Sequence, residues 1–271
     1  MRRAGTRKFP FLSPAASVLV APSMRPVAFL LLSLSLGLSV IRAAEDPLKD
    51  APPSYRDAMY AAMRSFTTRD FDGARAVVQK ADSSYQQTPV SLNILGAIAI
   101  EERKFDQGRA LCLQALNQNP RFFPARFNIA EIPFVQGKYA EARAMYERLQ
   151  QDEPKDDLLK FRIFLTYLLE KNDAQAREQL DQIPIINDTP ISFYANAAWD
   201  FAHGDQVGAK KWLSSGLRTF PPIRHVNFVE VFYDIGWLKR EDLSIKPEAA
   251  ATDTPLGTPA PAPAPGTAPN P

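Results

Sequence analysis

The sequence predicts an all-α protein, built as an α-solenoid of about five helix–turn–helix units with a capping helix at the C-terminal end. One observation is a phrase that returns at a constant interval, at residues 69–81, 103–115, 137–149 and 171–183. Another is that the recurring residues are offset by three, four and three, which traces one face of a helix. Pro120 and Pro154, separated by the same interval, are predicted to end two units, because proline stops a helix at or before its predecessor.

The returning phrase predicts the second helix of each unit. Its first column holds Phe71, Phe105, Tyr139 and Asp173. Three residues later, a small column holds Ala74, Gly108, Ala142 and Ala176. A small residue at each of these places predicts the close approach of a neighbouring helix, since a larger side chain would clash.

A second helical stretch precedes each phrase and predicts the first helix of the unit. It is clearest in SLNILGAIAIEER, where Leu92, Leu95, Gly96 and Ala99 share one face. Gly96 precedes Gly108 by a fixed offset, and matching columns occur at the same offset in the other units. Each unit is therefore predicted to be a helix, a short turn and a helix.

The fifth unit is weaker, and a final helix follows it. Residues 193–222 place Ala209 in the small column, one position short of the regular interval after Ala176, and we predict the loss of this position in the connection 183–190. Residues 223–241 are predicted to form an amphipathic helix that covers the last apolar face of the solenoid.

Two units depart from the regular pattern. Within the third unit, Pro133 predicts a kink or an early stop of the first helix. In the fourth, Asp173 predicts a looser turn.

The N-terminal segment 1–44 has the pattern of a secretory signal peptide. It contains no acidic residue, and an apolar run over 27–40 follows Met24, which is a possible true start. We expect cleavage near Ala43 or Ala44 and export to the periplasm or the medium. Two alternatives stay open, namely an uncleaved membrane anchor over residues 27–41 and an organelle transit peptide.

The C-terminal segment 244–271 is rich in Pro and Ala and is expected to be disordered, because it cannot bury enough apolar surface to offset its ordering entropy. The helical repeat domain is therefore predicted over residues 45–243.

Six of the 32 basic residues lie in 1–44, whereas all 30 acidic residues follow, so the folded part is slightly acidic. This charge balance gives no electrostatic case for nucleic-acid binding, and a membrane contact is expected only through an uncleaved leader.

Residues that could carry chemistry are few. His203 and His225 have no partner at metal-ligand or catalytic spacing and are predicted to be surface residues. Cys112 falls in an apolar column of the repeat, which predicts a buried structural thiol. The sequence contains no phosphate-binding loop, zinc spacing or nucleophile elbow. We therefore expect no catalytic activity, no cofactor and no metal.

Several features together resemble the tetratricopeptide repeat family over about residues 54–221. They are the Leu95-Gly96 pair, the turn at 137–139, the small columns and the closing prolines. The resemblance implies a right-handed solenoid with a concave groove lined by the first helices. It implies groove positions at Met59, Met63, Phe66, Asn93, Ile100, Phe127, Glu131, Phe134, Phe161, Leu165, Tyr194 and Phe201.

These groove columns contain no Lys or Arg, and Asn93 is their only Asn, which argues against the family's carboxylate clamp for acidic chaperone tails. They are mostly apolar and aromatic, which favours a groove for an extended or helical apolar segment. In one alternative, some of these side chains form the core between repeats. In another, the C-terminal helix of the same chain fills the groove.

The predicted function is that of an exported, non-catalytic protein–protein interaction module that binds a polypeptide segment. An envelope chaperone or assembly factor for precursor chains is an alternative, because flexible apolar surfaces can repack around varied partners. A helical accessory subunit of an enzyme complex is another.

Overall fold

The computed structural model describes residues 47–184, 189–221 and 224–242, and this part of the chain contains eleven α-helices and no strand. The helices are α1 (Pro53–Thr67), α2 (Phe71–Asp82), α3 (Pro89–Glu101), α4 (Phe105–Gln118), α5 (Phe123–Val135), α6 (Tyr139–Asp152), α7 (Asp157–Leu169), α8 (Asp173–Asp181), α9 (Ile191–Ala202), α10 (Gln206–Thr219) and α11 (Val226–Ile235). The predicted leader (1–44) and tail (244–271) lie outside the described residues.

The helices pair as the sequence predicts, from α1 with α2 to α9 with α10, and the α-solenoid of helix–turn–helix units is confirmed. The helices α3, α5 and α7 begin at the interval of the returning phrase and have equal lengths of 13 residues. The second helices α2, α4, α6 and α8 begin at this interval as well, and α10 begins one position early. The interval of the sequence phrase is therefore the repeat of the fold.

The turn inside each unit has one backbone geometry throughout. Five residues in the left-handed region mark these turns, namely Arg69, Arg103, Gly137, Lys171 and Gly204, with φ from 59° to 83°. In each turn, the residue that follows donates its backbone N–H to the carbonyl five positions earlier, at 2.8–3.0 Å. This is the Schellman arrangement, which satisfies carbonyls at the end of the first helix. The same turn therefore sets the crossing of every helix pair.

The predicted close approach is present in the second unit. A Cβ atom added to Gly96 would lie 2.8 Å from Sγ of Cys112, and one added to Gly108 would lie 2.9 Å from the carbonyl oxygen of Gly96. Both distances are too short for a side chain. Cys112 is fully buried at this contact, as predicted, and burial raises the pKa of its thiol to about 12.

The early stop predicted at Pro133 is wrong. Helix α5 continues to Val135 and ends in register with α3 and α7. Pro133 lies in the last turn of the helix, where its missing N–H removes only one bond, and its carbonyl accepts the N–H of Lys138 at 2.9 Å. At Asp173, the turn also keeps its bonds, since the N–H of Asn172 donates to the carbonyl of Tyr167 at 3.0 Å.

The first helices of the central units form the core. Most residues of α3, α5 and α7 are buried, which is the expected environment of helices that are apolar on most sides. The second helices bury only one face; α4, for example, buries Gly108, Cys112 and Ala115. The solenoid is therefore asymmetric, with its second helices facing solvent and its first helices enclosed.

The left-handed turns predict opposite effects of two substitutions. Replacing exposed Lys171 with Gly should raise the free energy of unfolding by up to about 1 kcal/mol, because a residue with a Cβ is strained at φ 59°. Replacing Gly137 with Ala should lower it by about 1 kcal/mol from backbone strain alone, since an added Cβ meets nothing within 4 Å. Urea unfolding of the full chain measures both, and an unchanged Gly137→Ala protein would contradict the explanation.

Candidate interaction site

The last helix lies across the first helices of the solenoid. Helix α11 packs mainly against α9 and α7, the first helices of the fifth and fourth units. It ends at Ile235, and the next residue, Gly236, has a φ of 82° in the left-handed region. The sequence predicts a helix that caps the end of the stack, whereas the structure places this helix on the side of the first helices.

A cluster of aromatic rings, Phe161, Tyr194, Phe201, Phe228 and Phe232, joins α11 to the solenoid. The ring of Phe228 lies 5.4 Å from that of Phe161 and 5.5 Å from that of Tyr194. The ring of Phe232 lies 5.9 Å from that of Tyr194 and 5.7 Å from that of Phe201. Aromatic pairs at such distances contribute about 0.5–1.5 kcal/mol each beyond the burial of their area. This aromatic cluster is therefore the main apolar attachment of α11.

A buried histidine gives α11 a polar attachment. The Nε2 atom of His225 lies 2.8 Å from the carbonyl oxygen of Phe220, and Nδ1 lies 2.8 Å from the hydroxyl of Tyr194. Because a carbonyl can only accept, Nε2 carries the proton, and Nδ1 accepts from Tyr194. Burial lowers the pKa of His225, which favours this neutral form. The surface position predicted for His225 is wrong, since the residue is only 1% exposed.

A buried charge cluster lies between α5, α6 and α7. Glu131 Oε1 accepts a hydrogen bond from Arg162 Nε at 3.0 Å and another from the hydroxyl of Tyr146. Burial lowers the pKa of Arg162, but the carboxylates of Glu131 and of Asp234 on α11 outweigh this effect and raise it. Removing one partner of a buried ion pair costs about 3–5 kcal/mol. The cluster therefore joins α5, α6 and α7.

A second acidic residue, Glu101, lies at the end of α3. Its carboxylate is buried and pairs with the guanidinium of Arg69 at 3.3 Å. Burial raises the pKa of Glu101 to about 7; Arg69 opposes the shift, and Glu230 of α11 adds to it. Burial is therefore the main cause of the raised pKa of this carboxyl.

The structure places all but one of the predicted groove residues in the interior. Met63 is half-buried, whereas the buried ones are Met59, Phe66, Asn93, Ile100, Phe127, Glu131, Phe134, Phe161, Leu165, Tyr194 and Phe201. Phe127 and Phe134 contact Tyr146 on the second helix of their own unit, with ring separations of 5.7 and 6.3 Å. These side chains line no open groove here. Their role in binding a partner stays a prediction.

Both alternative explanations of these residues have a counterpart in the structure. Core packing accounts for Phe127 and Phe134, and the helix of the chain itself covers Phe161, Tyr194 and Phe201. The repeat pattern gave no sign that the site also contains Tyr146, Arg162, His225, Phe228 and Phe232. A usable signal was the charge of Glu131 and Arg162 inside otherwise apolar helices, because buried charges require partners.

The described residues show two further properties. None of the helices between residues 47 and 242, the two gaps aside, is long and apolar enough to cross a membrane. Within the same residues, no three side chains of His, Cys, Asp or Glu gather in a way that could hold a metal ion.

The raised pKa of Glu101 predicts a pH effect. Its carboxyl binds a proton up to about pH 7 in the folded protein but only up to about 4.5 when unfolded, so stability falls as pH rises between these values. Glu101→Gln should remove this slope and raise the free energy of unfolding at pH 8 by roughly 2 kcal/mol. Urea unfolding at several pH values tests it, with exposed Glu178→Gln as the control. Parallel pH profiles for wild type and Glu101→Gln would contradict the assignment.

Comparisons with known proteins agree with this fold. The model of the tetratricopeptide repeat family matches residues 99–160 and 134–195. A thermophilic TPR protein from Thermus thermophilus is 16% identical, with a TM-score of 0.51 over 67% of this chain and 98% of the other. A tetratricopeptide repeat protein from Parabacteroides merdae is also 16% identical, with a TM-score of 0.42 over 68% and 75%.

No curated protein matches the sequence. At 16% identity, the likeness to the Thermus structure shows the fold alone. The match of the family model extends from the end of α3 into α9. The family model therefore resembles the chain over residues 99–195, and similar helix pairs continue on either side of this part.

Proposed function

We propose that this protein is an exported, non-catalytic interaction module whose first-helix face binds a segment of another protein. The tetratricopeptide repeat fold supports the general role of a protein–protein interaction scaffold. The observation that supports the finer proposal is the packing of α11 against this face. The face holds this helix through the aromatic cluster and through the hydrogen bond between Tyr194 and His225. Helix-in-groove binding of this kind is a recurrent mode of peptide recognition.

Part of the same face stays accessible in the first unit. Tyr60 on α1 is 37% exposed, and it occupies the column that contains Asn128 and Arg162 in later units, at whole multiples of the repeat interval. Met63, one turn away on the same helix, is half-buried. Leu113 on α4 is 48% exposed but lies on a second helix, away from this column. Tyr60 and Leu113 therefore distinguish the two faces of the solenoid.

A photo-cross-linking amino acid at Tyr60 in the full chain is expected to capture one stoichiometric partner from an envelope fraction. The same amino acid at Leu113 is the control and should capture none. Cross-links from Leu113 alone would assign binding to the second helices and contradict the proposal. Many substoichiometric partners would favour the chaperone alternative, and no partner would refute the module.

Export is proposed from the leader alone. Its basic residues, the apolar run over 27–40 and the small residues at Ala43 and Ala44 support a cleaved signal. N-terminal sequencing of the mature protein should then begin at Ala44 or Glu45. A chain that keeps the leader and sediments with membranes would instead support the anchor over 27–41.

A further inference from the structure

The charges differ at one joint of the solenoid, where a joint is the place at which the second helix of one unit meets the end of the next first helix. Arg75 on α2 pairs with Glu102 at the end of α3 at 2.6 Å. Arg143 on α6 pairs with Glu170 at the end of α7 at the same distance. In the fifth unit, the residue that directly follows the first helix is His203. A histidine therefore occupies the place where these two joints have an acid.

The carboxylate of this joint comes from the second helix instead. Asp173 is the first residue of α8, in the column that holds an aromatic ring in each earlier unit. Such a ring packs within its own unit; that of Tyr139, for example, lies 5.6 Å from that of Phe134. Asp173 reaches the next unit, where its Oδ2 lies 3.2 Å from Nε2 of His203. The departure of Asp173 from the repeat pattern is therefore matched by that of His203.

Both ring nitrogens of His203 face oxygen acceptors. Nδ1 lies 2.8 Å from the backbone carbonyl oxygen of Trp199, and Nε2 faces the carboxylate of Asp173. Because a carbonyl can only accept, Nδ1 carries a proton, and a neutral ring would then direct the lone pair of Nε2 at a carboxylate. Only the protonated ring donates to both oxygens. His225 differs, since its Nδ1 accepts from a hydroxyl and its neutral ring is satisfied.

The neighbouring tryptophan favours the same charged form. The ring of Trp199 lies 4.2 Å from that of His203, with 27° between their planes. A cation over the face of a tryptophan is attracted by the charge distribution of the ring. The hydrogen bond to the Trp199 carbonyl and the carboxylate of Asp173 raise the pKa of His203. The side chain lies at the surface, as predicted, and is 37% exposed, so its proton exchanges with solvent.

The other charges near this joint agree with a protonated ring. Asp200 on α9 adds to the upward shift in the pKa of His203. Burial, followed by the charge of Asp205 at the N-cap of α10, raises the pKa of Asp200. Arg177 on α8 lies 5.7 Å from the centre of the stacked tryptophan ring, and Asp181 offsets its charge at 2.8 Å. The carboxylates that act on His203 from α8 and α9 therefore favour its protonated form.

We propose that the joint between the fourth and fifth units is a pH-sensitive contact, which the protonated ring of His203 stabilises and which loosens when the ring loses its proton. Arginine and glutamate ordinarily keep their charges around neutral pH, whereas histidine titrates there. The contact is fully present below about pH 6.5, the usual pKa of histidine, and is lost as pH rises through the higher pKa of the folded state. The fifth unit carries Tyr194 and Phe201, so the joint also supports the surface on which α11 packs.

NMR of the full chain, which contains two histidines, tests the protonation state. A pH titration of the ring signals should show one pKa above 6.5, assigned to His203 by its loss in His203→Gln. Asp173→Asn should move this pKa back towards 6.5, because it removes an acceptor that is negatively charged. Glu178→Gln, an exposed change on the same helix, is the control and should leave it unchanged. A pKa of His203 at or below 6.5 in the wild type, or one that Asp173→Asn leaves unchanged, would overturn the proposal.

Hydrogen exchange tests whether the joint loosens. It is measured on the full chain at about pH 6 and about pH 8, and the rates are corrected for the intrinsic effect of pH. Amides of α9 and α10 should be severalfold less protected at the higher pH, relative to those of α6. His203→Gln and Asp173→Asn, which remove opposite partners of the contact, should each abolish this difference. Equal protection of the wild type at both pH values, or a difference that persists in both variants, would refute the pH-sensitive joint.

Discussion

The left-handed turn at the end of each first helix is the constraint on which the rest of the structure depends. It recurs at the interval of the repeat, once shortened by a single position, and in each case the same backbone bond closes it. Arg69, Arg103 and Lys171 hold this conformation with a side chain, although it normally favours glycine. That three units accept this strain shows how strongly the stacking of neighbouring helices determines the backbone. Close contacts such as that of Gly96 with Gly108 are possible only because the turn fixes the crossing.

Because this stacking encloses the first helices, their polar side chains must find hydrogen-bond or charge partners inside the protein. Asn93 and Asn128 form a hydrogen bond of 2.7 Å between α3 and α5, and Glu131 pairs with Arg162 between α5 and α7. A buried ion pair is seldom more stable than a well-packed apolar pair. These groups therefore contribute mainly to the order and register of the helices.

The sequence predicted the units well because their contacts are local. Phe71, Ala74 and Val78 recur at helical spacing, and a helix must bury such a face against its neighbour. The same periodicity contains no information about α11, because nothing in residues 223–241 specifies that Phe228 contacts Phe161. His225 was misplaced for this reason. The burial of the groove residues was also not predictable, since a column of apolar residues has the same spacing whether a partner or a second helix covers it.

The two ends of the first-helix face differ in a way that bears on binding. At α1, Tyr60 is partly exposed, whereas at α7 and α9 the corresponding side is covered by α11. Tyr60 is therefore reachable from solvent, whereas the aromatic cluster beneath α11 is not. Between these ends, burial raises the pKa of the Glu101 carboxyl to about 7, and Arg69 opposes the shift. Coverage by the chain's own helix therefore distinguishes the two ends of this face.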